Sequence, residues 1–399
     1  MGINWPKPFT FNDGRKVLST EDWNERADEI LNEYQSEMYG YIRTGEDIDY
    51  EISDKGAVLV SFFGTKEVPE AKKMTVKVSK NGRCAQFDVA VFLPKQKIAE
   101  KSPVFICMHP IQPIEYANMH GYAVIVMNPT AIASDDIKHN GCFYELYPYG
   151  TAAEEQTGVL AAWGWGASKI LDALYAGAGE SLDIDPDNAI VTGVSRWGKA
   201  TAVCGAFDKR FKMVAPSCSG AGGLALYRYF SEGKTYDFSS KGVDTLYTYG
   251  QNEPLSCLQS DAERGWFNDR FLDYKSPEQI PLEQYMLPAL CARKDRYYFV
   301  IASCISEDWV NAPSMWLCFR AAERIYDFLG LSDNLAANFH KEGHAVIEED
   351  MALMIEFFNE KVYGIKSEKD LSVLKTSVFE EKANYDPLFG EIGASVSSM

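Results

Sequence analysis

The chain has 399 residues, of which 46% are hydrophobic and 24% are charged, a composition typical of a globular protein with one large domain or two ordinary ones. Its formal net charge of −18 at pH 7 argues against nucleic acid and anionic membrane as partners. No apolar run reaches the ~18 residues of a membrane-spanning helix, so none is predicted.

The first residues, Met1–Pro6, lack the basic region and apolar core of a secretory leader. We therefore expect a cytoplasmic protein or one whose leader is not part of this sequence. The nine cysteines form no Cys-x-x-Cys pair, so we predict no metal site and expect most of them to be small core residues in a reducing setting.

The predicted elements change character along the chain. A helix over Trp23–Gly40, capped by Ser19 or Thr20, precedes three alternating strands that predict an antiparallel entry to a sheet: Ala57–Phe62, Lys73–Val78 and Gln86–Phe92. Buried strands then alternate with helices. The strands are Val104–Met108, Tyr122–Met127, Ala189–Thr192, Met213–Pro216 and Tyr297–Ala302, and the helices are Gly158–Tyr175, Lys199–Phe207, Pro313–Leu329 and Val346–Asn359.

This alternation predicts a mostly parallel sheet covered on both faces, an α/β fold of three layers. We expect one catalytic domain over residues 1–399. It would carry a helical and antiparallel extension over about residues 1–95 and an insertion over about residues 221–287.

A Gly-x-Ser-x-Gly motif follows one of the buried strands. Gly193 and Gly198 flank Ser195 at a strand-to-helix turn, with the helix expected to begin near Lys199. Such a nucleophile elbow exposes a serine hydroxyl at the N-terminus of a helix, and the glycines allow the sharp turn and close packing. The motif predicts a serine nucleophile in an α/β-hydrolase; an ordinary capping serine is the alternative.

Only two of the five histidines follow Ser195, and the α/β-hydrolase order requires the base to come after the serine. His344 lies in a glycine-containing loop before the last predicted helix, whereas His340 ends an apolar stretch and is expected to be packed. His344 is the predicted base. The acid is expected after strand Tyr297–Ala302, where Glu307 and Asp308 are adjacent candidates.

The elbow Gly193–Lys199, with arginine directly after the serine, resembles that of the glucuronoyl methylesterases, carbohydrate esterase family 15. The resemblance covers most of residues 8–362. It extends to the segments Phe9–Val17, Glu21–Trp23, Ser219–Gly223, Trp266-Phe267 and Leu287–Arg293.

The resemblance implies roles for single residues. Ser195 would be the nucleophile and His344 the base, while the Arg196 guanidinium would face the oxyanion. Lys199 resembles the lysine that holds uronate hydroxyls, and Trp309 resembles the tryptophan that lies against the sugar. Glu263 matches, loosely, a glutamate that hydrogen-bonds the sugar.

One position departs from the family pattern. Many members carry the triad glutamate just before Ser-Gly-x-Gly-Gly, where this chain has Cys218. A thiol cannot orient an imidazole as a carboxylate does. Other members, mostly bacterial, resemble this chain in having a carboxylate in the loop after the next core strand, and Asp308 is the match we favour over Glu307.

The resemblance implies hydrolysis of the ester between 4-O-methyl-glucuronate of xylan and a lignin alcohol, without cofactor or metal, by a monomer that is secreted or periplasmic. The alternatives are an acetyl or feruloyl xylan esterase, and a carbohydrate-binding relative that has lost catalysis.

Overall fold

Strands form the centre of the molecule in the computed structural model, which describes residues 5–61, 64–110, 112–239 and 246–379. In chain order they are β1 (Asp47–Ser53), β2 (Ala57–Ser61), β3 (Gly64–Val68), β4 (Lys72–Lys80), β5 (Arg83–Phe92), β6 (Ser102–Cys107), β7 (Ala123–Met127), β8 (Ile184–Val194), β9 (Met213–Ser217), β10 (Thr235–Asp237), β11 (Leu246–Thr248), β12 (Tyr297–Ser303) and β13 (Leu335–His340).

The α-helices flank these strands and connect them. They are α1 (Thr20–Tyr34), α2 (Ile114–Met119), α3 (Pro129–Ile132), α4 (Cys142–Leu146), α5 (Val159–Ala173), α6 (Gly179–Leu182), α7 (Arg196–Phe207), α8 (Leu255–Leu258), α9 (Met286–Leu290), α10 (Ala312–Phe328) and α11 (Glu348–Phe358). None of the helices within the described ranges is both long and apolar enough to cross a membrane.

Within the described residues, nine strands form one sheet in the order β1-β4-β5-β7-β6-β8-β9-β12-β13. The first strands pair antiparallel as far as the β5–β7 pair, and the pairs from β7 to β13 are parallel. Strands β6, β7, β9 and β12 are buried along their whole length, which is why their sequences are continuous apolar runs rather than alternating ones.

The order of the parallel strands determines where the helices lie. The connection from β6 to β7 runs towards β1, whereas those from β8 to β9 and from β12 to β13 run towards the other edge. Because such crossovers are right-handed, α2 lies on the opposite face of the sheet from α7 and α10. The predicted three-layer α/β-hydrolase fold with a mostly parallel sheet is confirmed.

The N-terminal part differs from the prediction. The segment Ala57–Ser61 pairs with β3 in a separate hairpin and not with the main sheet, so its predicted place there is wrong; Phe62 lies outside the described residues. The outermost antiparallel strand is β1, which the sequence analysis missed. Helix α1 is capped by Ser19 and ends at Tyr34, where a π-helical turn continues to Tyr39. The division of the chain into domain, extension and insertion stays a prediction.

Candidate active site

Four parallel strands end at the same edge of the sheet and carry the candidate residues there. Ser195 follows β8, Cys218 follows β9, Glu307 lies after β12, and His344 lies after β13. Hydrogen bonds join these strand ends: the Ser195 N–H donates to the Ser217 carbonyl over 2.9 Å, and the Gly343 N–H donates to Ser303 Oγ over 3.2 Å. Residues that are far apart in the sequence therefore lie close together at the carboxyl ends of these four strands.

Ser195 has a backbone conformation that L-residues rarely adopt, with φ 64° and ψ −128°. Helix α7 begins directly after it, at Arg196 rather than near Lys199 as expected. A Cβ at Gly193 would lie 2.6 Å from the Trp197 carbonyl oxygen, and one at Gly198 would lie 2.3 Å from that of Ser217. The flanking glycines thus permit the turn that presents the serine at a helix N-terminus, as in a nucleophile elbow.

His344 is paired with Glu307. Its Nδ1 atom lies 2.8 Å from Glu307 Oε1, within hydrogen-bonding distance. The Glu307 carboxylate is almost completely buried, whereas 30% of the His344 side chain is exposed. A carboxylate on Nδ1 favours the imidazole tautomer whose Nε2 can accept a proton, which is the orientation a general base needs.

The assignment of Asp308 as the acid is corrected by this geometry, because Glu307 reaches the histidine and Asp308 does not. The Asp308 carboxylate accepts a hydrogen bond from the Tyr247 hydroxyl over 2.7 Å. The Asp308 backbone begins a 3₁₀ turn. Ser306, with φ 64°, turns the chain just before the two acids. Their side chains therefore leave the loop in different directions.

Cys218 borders the histidine–glutamate pair. Its Sγ, a Glu307 carboxylate oxygen and a His344 ring nitrogen all lie within 4.8 Å of one another. Burial, with a contribution from the Glu307 charge, raises the pKa of the Cys218 thiol, so the group is neutral at ordinary pH. Although cysteine, glutamate and histidine are zinc-ligand types, the 2.8 Å distance between His344 Nδ1 and Glu307 Oε1 is that of a directly paired imidazole and carboxylate, which favours a catalytic pair.

Arg196 is held beside the serine by an acidic partner that the sequence analysis did not identify. Its guanidinium lies 2.6 Å from Asp135 Oδ2, and the indole N–H of Trp266 donates to Asp135 Oδ1 over 2.7 Å. The guanidinium carbon also lies 5.2 Å from the centre of the Trp266 ring. These contacts fix where the cation lies at the N-terminus of α7.

Lys199 lies one helical turn further along α7 and is almost fully buried. Its Nζ donates to the Ala221 carbonyl over 2.6 Å and to Glu253 Oε2 over 2.8 Å. Glu263 lies close to the Lys199 ammonium group and to the Glu253 carboxylate. Its burial, and next the charge of Glu253, raise the pKa of Glu263 to about 7.

Several of these side chains, although not those of His344 and Glu307, line a single pocket of about 90 Å³ next to the serine. Trp309 lies at its mouth, 47% exposed, with its ring centre 5.5 Å from that of His344. An exposed indole beside buried polar groups suits a sugar ring, which offers an apolar face and hydroxyls. The lining residues are Ser195, Arg196, Lys199, Cys218, Gly220, Glu253, Glu263, Trp266, Trp309 and Val310.

A larger cavity, of about 450 Å³, lies near the opposite end of α7, beside Val203 and Phe207. Its buried charges are already paired, because Lys169 binds Glu46 over 3.0 Å and also Asp172. We place the chemistry at the smaller pocket because Ser195 and the polar groups converge there.

Residues 76–330 match the family model described as glucuronyl esterase, fungi. A solved carbohydrate esterase family 15 glucuronoyl esterase from Caldicellulosiruptor kristjansonii is 36% identical, with a TM-score of 0.81 and 94% of each chain covered. This chain belongs to the glucuronoyl esterases of carbohydrate esterase family 15. The resemblance seen in the sequence is thus confirmed.

Two curated relatives are matched by this chain over only part of their length. A multidomain esterase from Ruminococcus flavefaciens is 50% identical over 388 residues, which are 96% of this chain and 49% of that protein. The chain therefore spans about half the length of that relative. A 4-O-methyl-glucuronoyl methylesterase from Schizophyllum commune is 27% identical, with 82% of this chain and 74% of that protein covered.

The fold of this glucuronoyl esterase brings five of the predicted site residues to one pocket, and their individual roles stay predictions. Ser195, Arg196, Lys199, Glu263 and Trp309 line the same pocket. Asp135 and Glu253, which contact the two cations, were missed because they lie in loops that match no motif. Only their proximity in the fold reveals them.

Proposed function

We propose that this chain is a serine esterase that hydrolyses the ester between the carboxyl group of 4-O-methyl-glucuronate on xylan and an alcohol of lignin. Family membership supports the reaction class, and the name of the Schizophyllum commune relative supports the methyl-glucuronate acyl group. Because the chain spans only half of one relative, the polymeric substrate and the monomeric state belong to the proposal too.

The proposed mechanism begins with transfer of the Ser195 Oγ proton to His344 Nε2 while Glu307 holds Nδ1. The serine oxygen attacks the ester carbonyl, and the oxyanion forms against the Arg196 guanidinium and the backbone N–H groups at the start of α7. Collapse expels the alcohol, which takes the proton from His344. Water, deprotonated by the same imidazole, then attacks the acyl-enzyme. The bond between the acyl carbon and Ser195 Oγ breaks, the free uronate departs, and His344 returns the proton to Ser195 Oγ.

The observation that carries this proposal is the convergence of an elbow serine, a histidine–carboxylate pair and a polar, tryptophan-flanked pocket at one sheet edge. An acetyl or feruloyl esterase has no need of the buried Lys199 and two carboxyl groups beside its serine. An acetyl group carries no hydroxyl, and the feruloyl group carries only a phenol at the far end of a planar ring, whereas a uronate carries hydroxyls on its sugar ring next to the ester. The non-catalytic alternative depended on Cys218 in place of an acid, and the 2.8 Å contact between Glu307 and His344 supports an acid at another position.

The experiment is a comparison of ester substrates in wild type and Ser195→Ala. We expect kcat/KM for benzyl glucuronate to exceed that for an acetylated xyloside by at least about 10²-fold, because only the uronate meets the pocket groups. The variant should lose both activities while still folding. Higher activity on the acetyl ester would favour the acetyl esterase alternative, and no hydrolysis of either would favour a binding protein.

A further inference from the structure

We infer that Glu253 and Glu263 make this pocket selective for the uncharged uronate ester over the free uronate anion. The inference rests on the proposed function and deepens it, because the two species differ only at the carboxyl group that the reaction changes. An esterase whose product is an anion gains from a pocket that holds the ester and releases the acid.

The positive charges in the pocket beside Ser195 are balanced by neighbouring carboxylates. The pocket contains two cations, Arg196 and Lys199, which alone would attract a carboxylate. Each lies against a carboxylate of its own: Arg196 is 2.6 Å from Asp135 and Lys199 is 2.8 Å from Glu253. The cations are thus available as hydrogen-bond donors, while their net charge is largely cancelled.

Glu263 adds one more carboxyl group to this pocket. Glu263 lines the pocket beside Glu253, and its Oε2 atom is buried without a hydrogen-bond partner among the described residues. When Glu263 is ionised, three carboxylates oppose two cations and the pocket carries a net negative charge. A bound uronate would then meet an uncompensated like charge in a partly desolvated site.

The surroundings of Glu263 make this charge sensitive to pH. Glu253, Lys199 and Arg196 are the charged groups that act most strongly on it, and Asp135, which contacts Arg196, and Cys257 of α8 are further titratable groups around the pocket. His344 and Glu307 form a separate pair behind Trp309. Burial and the Glu253 charge place the pKa of Glu263 at about 7. The free acid should therefore bind more weakly as pH rises through 7, while the ester should not.

The test measures binding in a parent that cannot turn over, Ser195→Ala, by calorimetry. The ligands are methyl glucuronoside as its free acid and as its methyl ester. The parent is compared with a double variant that also carries Glu263→Gln, a substitution that removes the carboxylate charge and keeps the shape of the side chain. Asp261→Asn is the matched control, because that carboxylate lies two residues away and its side chain is 91% exposed.

At pH 8 we expect Glu263→Gln to bind the acid about tenfold more tightly than the parent, the effect of one unit of pKa coupling between neighbouring charges. Ester affinity should change less than about threefold, and Asp261→Asn should change neither ligand. At pH 5.5, below the pKa of about 7 for Glu263, the parent and Glu263→Gln should bind the free acid with nearly equal affinity.

Equal effects of Glu263→Gln on acid and ester would overturn the inference, since Glu263 would then be only a hydrogen-bonding residue. Unchanged acid affinity at pH 8, or no binding of either ligand to the parent, would overturn it as well. Hydrolysis of the methyl ester by wild type is measured separately. Its absence would refute the proposed function, whereas hydrolysis without charge selectivity would refute this inference alone.

Discussion

Positive φ angles at non-glycine residues set the side-chain directions of the active site. Ser195, Cys218 and Ser306 have φ values of 64°, 45° and 64°, and each lies just beyond the end of a parallel strand. Such conformations cost of order 1–3 kcal/mol each and persist where the surrounding fold imposes them. Here they present the Ser195 hydroxyl at the pocket and bring the Cys218 thiol and the Glu307 carboxylate to within 4.8 Å of a ring nitrogen of His344.

Substitution of the acid tests this geometry at a single residue. Glu307→Gln should lower kcat on benzyl glucuronate by roughly 10³–10⁴, because the amide no longer holds the correct tautomer or stabilises the imidazolium. Asp308→Asn should lower it less than about tenfold, since Asp308 contacts Tyr247 instead. The reverse ranking of the two variants in steady-state kinetics would make Asp308 the acid.

Arg196 allows a second test at this scale. Arg196→Ala should lower kcat by about 10²–10³ with a smaller change in KM, because the proposed contact forms with charge that develops after attack. Arg196→Lys should restore only part of the rate, since an ammonium lacks the planar fork.

Asp135→Asn separates the placement of the guanidinium from its charge. That variant keeps Arg196 and weakens the 2.6 Å contact that positions it, so we expect a smaller loss of kcat than in Arg196→Ala. An unchanged kcat with a raised KM in Arg196→Ala would identify the arginine as a ground-state binding residue.

The sequence singled out Ser195 and His344 as the candidate nucleophile and base, whereas it left two neighbouring candidates for the acid. The elbow has its own glycine pattern, and the late histidine was singled out by chain order. Glu307 and Asp308 are neighbours in one loop, and the choice between them depends on the conformation of Ser306, a residue type that does not mark a left-handed turn. No local pattern could have decided it.

At the scale of elements, the site depends on close contact between α7 and the ends of β8 and β9. Gly198 lies on the side of α7 that meets the Ser217 carbonyl, where a Cβ would approach to 2.3 Å. Because that oxygen belongs to the backbone of a central strand, the contact cannot be relieved by a rotamer change.

Gly198→Ala should therefore destabilise the protein by about 1–3 kcal/mol and disturb Ser195, three residues away. Gly164→Ala on α5 is the milder control, because its Cβ would lie 3.1 Å from Cys204 Cβ and 3.2 Å from Cys204 Cα, much less severe contacts than the 2.3 Å approach at Gly198. Urea unfolding and esterase activity are measured for both. A Gly198→Ala protein as stable and active as the control would contradict the predicted clash.

Elements with strong burial were predictable, and marginal ones were not. Runs such as Val104–Cys107 and Tyr297–Ala302 are apolar because both faces of the sheet are covered, and their positions were close to those observed. Strand β1 alternates charged and apolar residues at an exposed edge, and β13 contains Asn338 and His340. Neither has the apolar run expected of a buried strand, so both were missed.

At the scale of the whole molecule, the parallel half of the sheet carries the chemistry and the antiparallel half extends the core. The chain is strongly acidic, at −18, and its pocket is also rich in carboxylates. This character agrees with a neutral ester as the bound form and an anion as the released form.

Activity should be insensitive to chelators and reductants. All nine cysteines are free thiols, and the proposed mechanism uses only protein groups. Incubation with EDTA, and separately with dithiothreitol, should leave at least about 80% of the hydrolysis rate on benzyl glucuronate. Loss of more than half the rate that is restored by adding a divalent metal would require a revised mechanism.

Active-site titration tests the central claim, that Ser195 is the nucleophile of a glucuronate esterase, most directly. A fluorophosphonate is added in substoichiometric steps, residual hydrolysis of benzyl glucuronate is measured, and the labelled peptide is identified by mass spectrometry. We predict that one label per chain on Ser195 abolishes hydrolysis in proportion, that methyl glucuronoside methyl ester slows labelling, and that Ser195→Ala is not labelled. Full labelling of Ser195 with hydrolysis retained, or inactivation through another residue, would contradict the account.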